Sequence, residues 1–205
     1  MPRRCNRARG DARWALSLPV AVAVAAASAV PRPAAAAAVT VDAERRGDAI
    51  EIHAQAELKS DATTAWQVIT DYDRYVEFVP DLRVSRVIAR RGTTVVVEQS
   101  GDATLWLFRM PLDVTFEIDE RTPGHLQSRA VAGSLHALAS SYVLTPAASG
   151  VRLVYTGHVT PGFALFGYLE EMAVRANIAR QFHALADEIE RRSAARGATP
   201  PAAAH

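Results

Sequence analysis

A long amphipathic segment, Phe163–Arg192, closes this chain, and it follows a run of segments in which apolar and polar residues alternate one by one. Ahead of most of that run stands a short helical stretch, Trp66–Leu82 (WQVITDYDRYVEFVPDL). Alternation of period two marks strands with one buried and one solvated face. A helix with an apolar stripe must lay that stripe against something. Short helices, then strands, then one long helix is the order of an antiparallel sheet that curls around a helix. The predicted class is therefore α+β, with an apolar cavity expected between sheet and helix.

The strands read as follows. Ala49–Leu58 places Ile50, Ile52, Ala54, Ala56 and Leu58 on one face, and Val39–Glu44 is expected to pair with it through a turn near Gly47. Ser60 and Asp61 are candidate caps for a helix from Ala62 to about Thr70, because their oxygens accept orphan backbone N–H groups. A second short apolar turn, Tyr75–Val79, ends at Pro80. Leu82–Arg90 and Thr93–Gln99 form a hairpin at Arg91-Gly92, and Leu112–Ile118 and His125–Val131 follow. Ala103–Arg109 reads as a strand with both faces apolar. Leu135–Leu144 and Val151–Val159 form a last hairpin. On the closing helix the apolar stripe is read through Leu165, Leu169, Met172, Phe182, Leu185 and Ile189.

The N-terminus has a different character. Five arginines before Trp14, an uncharged Ala-rich run Trp14–Val30 and the small-residue stretch Ala34–Ala38 form the layout of a secretory signal. Residues 1–38 are expected to be removed, with a retained membrane anchor as the alternative. The expected location is the periplasm or the outside of the cell. The ligand-binding domain is expected over 39–192 and a disordered Ala/Pro-rich tail over 193–205. Cys5, the single cysteine, falls in the leader, so the exported protein is expected to use no disulfide. Of 23 basic and 22 acidic residues the leader carries six Arg and one Asp, which leaves 17 and 21 and a net charge of −4. A mildly acidic domain without a basic stripe is a poor nucleic-acid partner.

Three motifs carry a resemblance. They are Val68-x-x-Asp71-x-x-x-Tyr75-x-x-Phe78-Val79-Pro80, the strand end Tyr142-x-Leu144-x-Pro146, and Asn177-x-x-x-Gln181-Phe182-x-x-Leu185 in the closing helix. The chain from about Ala54 to Arg192 resembles the START-like superfamily, which includes the polyketide cyclase/dehydrases and the coenzyme Q-binding proteins. The resemblance implies a helix-grip fold: about seven antiparallel strands, two short helices after the first main strand, and a C-terminal helix across the concave face. It also implies a hydrophobic small molecule held between sheet and helix.

The candidate site residues are the side chains that alternation turns toward that cavity. Phe116 lies on the inward row of Leu112–Ile118, and Tyr155 on that of the last strand. Counting back from Tyr142 puts Ser140, Leu138 and His136 on its face. Trp106 and Phe108, Phe163 and Phe166 of the GFALFG segment, and Leu169 and Met172 of the closing helix complete the apolar lining. Trp106–Pro111 and GFALFG are the expected access route, and their apolar character allows a transient membrane contact. Tyr142 and Tyr155 also satisfy a plain core reading, with ring buried and hydroxyl bonded to water or backbone. Arg109 and Glu98 are further polar candidates whose facing the sequence leaves open. A cyclase or dehydratase would use His136 and Tyr155 as its acid–base pair. The histidines lack zinc-ligand spacing, and no phosphate-binding glycine loop is present, so no metal or cofactor is expected.

Overall fold

The computed structural model of the protein describes residues 38–105, 108–160 and 168–198. The leader before Ala38 lies outside them, so the expected signal segment is a matter of sequence alone.

Eight antiparallel strands form one open sheet in the order β1-β2-β8-β7-β6-β5-β4-β3. They are β1 (Ala38–Arg46), β2 (Ala49–Leu58), β3 (Leu82–Arg91), β4 (Thr94–Leu105), β5 (Phe108–Thr122), β6 (His125–Gly133), β7 (Ala137–Ala147) and β8 (Gly150–Thr160). The resemblance implied about seven. The additional strand is β1, held on β2 through the two-residue turn Gly47-Asp48, with Gly47 at φ 61°. Ala103–Arg109 is not a strand of its own. Its described residues belong to the end of β4 and the start of β5, which pair with each other up to Leu105–Phe108.

Helix α1 (Ala62–Ile69) starts where Asp61 accepts hydrogen bonds from the Thr64 backbone N–H at 2.8 Å and the Thr64 hydroxyl at 2.6 Å. A 3₁₀ helix, Tyr72–Glu77, follows. The chain then reverses at Asp81, which adopts φ 64°. That reversal lies flat against β4 only because Gly101 is there: a Cβ on it would sit 2.3 Å from the Asp81 carbonyl oxygen. The same carbonyl accepts from the Asp102 N–H at 2.9 Å.

Helix α2 (Tyr168–Ala198) has 31 residues and so extends on the order of 45 Å. It runs past Arg192, where the tail was expected to begin, because Arg196 ties the last turns to α1 through the Thr64 hydroxyl at 2.9 Å and the Gln67 side chain. One core cluster joins β2 and β8 to both α-helices, with Ile50, Leu58, Val68, Leu153, Phe182 and Ile189 almost wholly buried. A second, around Tyr72, Val95, Val97, Ile118 and Leu126, seats the 3₁₀ helix on the far half of the sheet.

An open sheet exposes two strand edges, which are templates for unwanted pairing. Here side chains cover them. At β3 the Val87 N–H donates to the Asp73 carboxylate at 2.7 Å. At β1 the Arg45 N–H donates to Glu171 at 3.3 Å, and Arg175 donates to the Val41 carbonyl at 3.0 Å. The C-terminal half of α2 is anchored by Arg192, which bonds Asp71 at 2.7 Å and Glu188 at 2.6 Å and lies over the Phe78 ring.

Candidate functional site

Where α2 crosses the concave face, it does not fill the space beneath it. Two adjoining chambers remain, of about 190 and 170 Å³. They share seven lining residues, among them Leu82, Gln99, Phe116, Leu138, Tyr155 and Gln181. Taken as one cavity they reach the size range of ~300–1,000 Å³ typical of small-molecule sites. The first chamber lies under the N-terminal half of α2. Its walls are aliphatic, with Met110, Leu112, Val114, Leu135, Val159 and Val174, and three carboxylates border it: Asp81, Asp102 and Glu170. The second lies under Ile178–Leu185 and is lined by four tyrosines, Tyr72, Tyr75, Tyr142 and Tyr155, with Ser128 and Ser140.

Most of these polar groups have an identifiable partner. Glu170 is buried and bonded by Arg45; Asp81 meets Arg180 at 3.1 Å, and Asp102 meets Arg83 at 2.5 Å. Tyr72 donates to Glu120 at 2.8 Å and Tyr75 to the Ile69 carbonyl at 2.7 Å. Tyr155 lies beside Ser140, which stands opposite Gly157 in the β7–β8 ladder and whose hydroxyl is 2.7 Å from that of Ser128. The Tyr142 hydroxyl has no hydrogen-bond partner among the described residues, although its ring packs on Tyr155 with centroids 4.9 Å apart. Burial raises the pKa of all four tyrosines above the ordinary phenol value, so each is a neutral donor at physiological pH. Gly157 gives the Tyr155 ring its place: a Cβ there would stand 2.6 Å from the Tyr155 hydroxyl oxygen.

The family model for "Polyketide cyclase / dehydrase and lipid transport" matches residues 49–193. The chain belongs to that family. No curated protein matches it in sequence. Among solved structures it is similar to a STAR-related lipid transfer protein from Xanthomonas axonopodis, at 17% identity and TM-score 0.63, covering 77% of this chain and 96% of that one. It is also similar to the Zhui aromatase/cyclase of Streptomyces sp. R1128, at 13% identity and TM-score 0.57, covering 73% and 94%. A START superfamily protein from Mycobacterium smegmatis matches at 12% identity and TM-score 0.56, covering 71% and 98%. At these identities the structural likeness establishes the fold, a helix-grip sheet with its C-terminal helix. The coenzyme Q-binding likeness rests on the sequence motifs alone.

Within this family fold, the expected site residues separate. Phe116 and Tyr155 line both chambers and Tyr142 lines the second. His136 does not face the cavity. It is exposed in the turn before β7, which begins at Ala137, so the count back from Tyr142 runs past the end of the strand. Leu169 and Met172 are 45% and 48% exposed and face away from the sheet. The residues of α2 that face the first chamber are instead Glu170, Ala173, Val174, Asn177, Ile178 and Gln181, and Phe182 and Leu185 border the second. Trp106, Phe163 and Phe166 lie outside the described residues, as does the side chain of Phe108. Arg109 is exposed and Glu98 pairs with Arg86 at 2.7 Å; neither lines a chamber. Sequence reasoning missed Gln99, Gln181, Glu170 and Ser128. For Gln181 a signal existed, since it belongs to the closing-helix motif.

Proposed function

We propose that this protein is an exported carrier that holds a hydrophobic small molecule, a lipid or an isoprenoid- or polyketide-like compound, between sheet and α2 without converting it. The observation that carries the reading is the two-chambered cavity itself, with aliphatic walls at one end and a few convergent neutral donors at the other. Affinity in such a site comes from removing apolar ligand surface from water, roughly 25 cal/mol per Å². Turnover asks for an acid and a base within reach of one substrate position. Here His136 is exposed outside the cavity, the tyrosines are held protonated by burial, and the three carboxylates of the lining are each engaged by an arginine. Two proteins of the same fold stand on either side of this choice, one a lipid transfer protein and one an aromatase/cyclase.

Export is supported by the basic leader, the uncharged run and the Ala34–Ala38 stretch. Among the described residues, no helix is long and apolar enough to cross a membrane. Native mass spectrometry of exported protein, followed by solvent extraction, tests the carrier reading. A stoichiometric apolar compound released unchanged is the expected result. Recovery of a product chemically distinct from an added ligand would move the assignment to a cyclase or dehydratase.

A further inference from the structure

The distribution of charge around the cavity restricts the chemistry of the ligand. No lysine, arginine or histidine is among the described residues that line either chamber. The internal stretches 106–107 and 161–167 contain no charged residue at all. Among the described residues, the only ionic side chains in the lining are Asp81, Asp102 and Glu170, all anionic and all at the aliphatic chamber. Their arginine partners, Arg180, Arg83 and Arg45, are outside the lining. A carboxylate or phosphate placed inside would lose its hydration and find no cation in the lining, and the arginines behind it are already paired with Asp81, Asp102 and Glu170, so its charge would stay uncompensated, which is strongly unfavourable. A hydroxyl or carbonyl group finds a different environment. The tyrosine chamber presents Tyr155 beside Ser140, and a Tyr142 hydroxyl with no partner among the described residues.

Resting on the carrier reading, we propose that the cavity selects uncharged amphiphiles. The hydroxyl or carbonyl end seats beside Tyr155, Tyr142 and Ser140, the hydrocarbon body occupies the aliphatic chamber, and acids and phosphates of the same skeleton are rejected.

Farnesol, methyl farnesoate, farnesoate and farnesene share a skeleton and differ at one end, so titrating each into the purified exported protein at pH 8 isolates the end group. The alcohol and the ester are expected to bind at least about tenfold more tightly than the carboxylate, given the cost of burying an unpaired charge. Tyr155→Phe and Ser140→Ala are each expected to weaken farnesol about fivefold, the worth of one neutral hydrogen bond, and to leave farnesene unchanged. Equal losses for farnesol and farnesene would assign these residues to packing and overturn the seating. Gln181→Lys, which puts a cation where both chambers meet, is expected to recover farnesoate binding. Farnesoate binding wild type as tightly as farnesol overturns the selection for neutral ligands while the carrier reading stands. Failure of all four probes to bind brings down the carrier reading and this inference together.

Discussion

Gly157 stands opposite Ser140 in the β7–β8 ladder, and its missing side chain is what lets the Tyr155 ring lie back along its own strand. Gly157→Ala therefore pushes the ring toward the cavity. It is expected to cost about 1–3 kcal/mol, as forced repacking does, and to weaken ligand binding; chemical denaturation and a ligand titration check both. Glu188 is the second residue whose surroundings set its behaviour. It is buried beside two arginines, and their hydrogen bonds hold its pKa down to about 2. A carboxylate whose folded pKa is lowered contributes stability above its ordinary titration range and loses it as pH falls toward the folded value. Glu188→Gln is thus expected to be less stable than wild type at pH 7, with the gap narrowing between about pH 5 and pH 2. Denaturation midpoints across that range measure it, and a constant gap would remove the carboxylate from the stability of α2.

At the scale of the element, α2 has two kinds of inner face. From Phe182 onward it packs against β2, β8 and α1, and Phe182, Leu185, Ala186 and Ile189 are buried. Phe182→Ala is expected to cost about 3–5 kcal/mol, since a fully buried aromatic leaves a cavity when truncated; a denaturation midpoint equal to wild type would put that face outside the core. Toward the N-terminus the inner face turns toward open space instead of core, and there it carries Glu170, Asn177 and Gln181. Following apolar residues back along the helix therefore leads to Leu169 and Met172 on the solvent side. Periodicity finds the face that excludes water through packing. It does not find a face that borders a cavity, where polar residues interrupt the apolar stripe. The strands show the opposite case. The inward rows of β2 and β8 were legible residue by residue, because buried residues alternate strictly with more exposed ones from Ile50 to Leu58 and the inward residues from Val151 to Val159 are all buried.

For the whole molecule, the proposed export has a direct consequence: the mature chain is expected to begin near Val39, which intact-mass analysis of exported protein checks, whereas full-length chain in the inner membrane would mark an anchor. A carrier also couples ligand to stability. At 100 times its dissociation constant a bound ligand is expected to stabilise the fold by about 2.7 kcal/mol through mass action, visible as a rise in the denaturation midpoint. The order of elements, the inward rows of the strands, the cap at Asp61 and the family motifs could all be read from the residues in line. Each depends on near neighbours in the chain, where dihedral preference and period decide the outcome. The exposure of His136, the continuation of α2 to Ala198 and the two chambers depended on the tertiary structure. They arise from contacts between residues far apart in sequence, such as Arg196 with Thr64, Glu170 with Arg45 and Gly101 with Asp81. No local pattern encodes how closely two such segments approach, and that distance separates a filled core from a cavity.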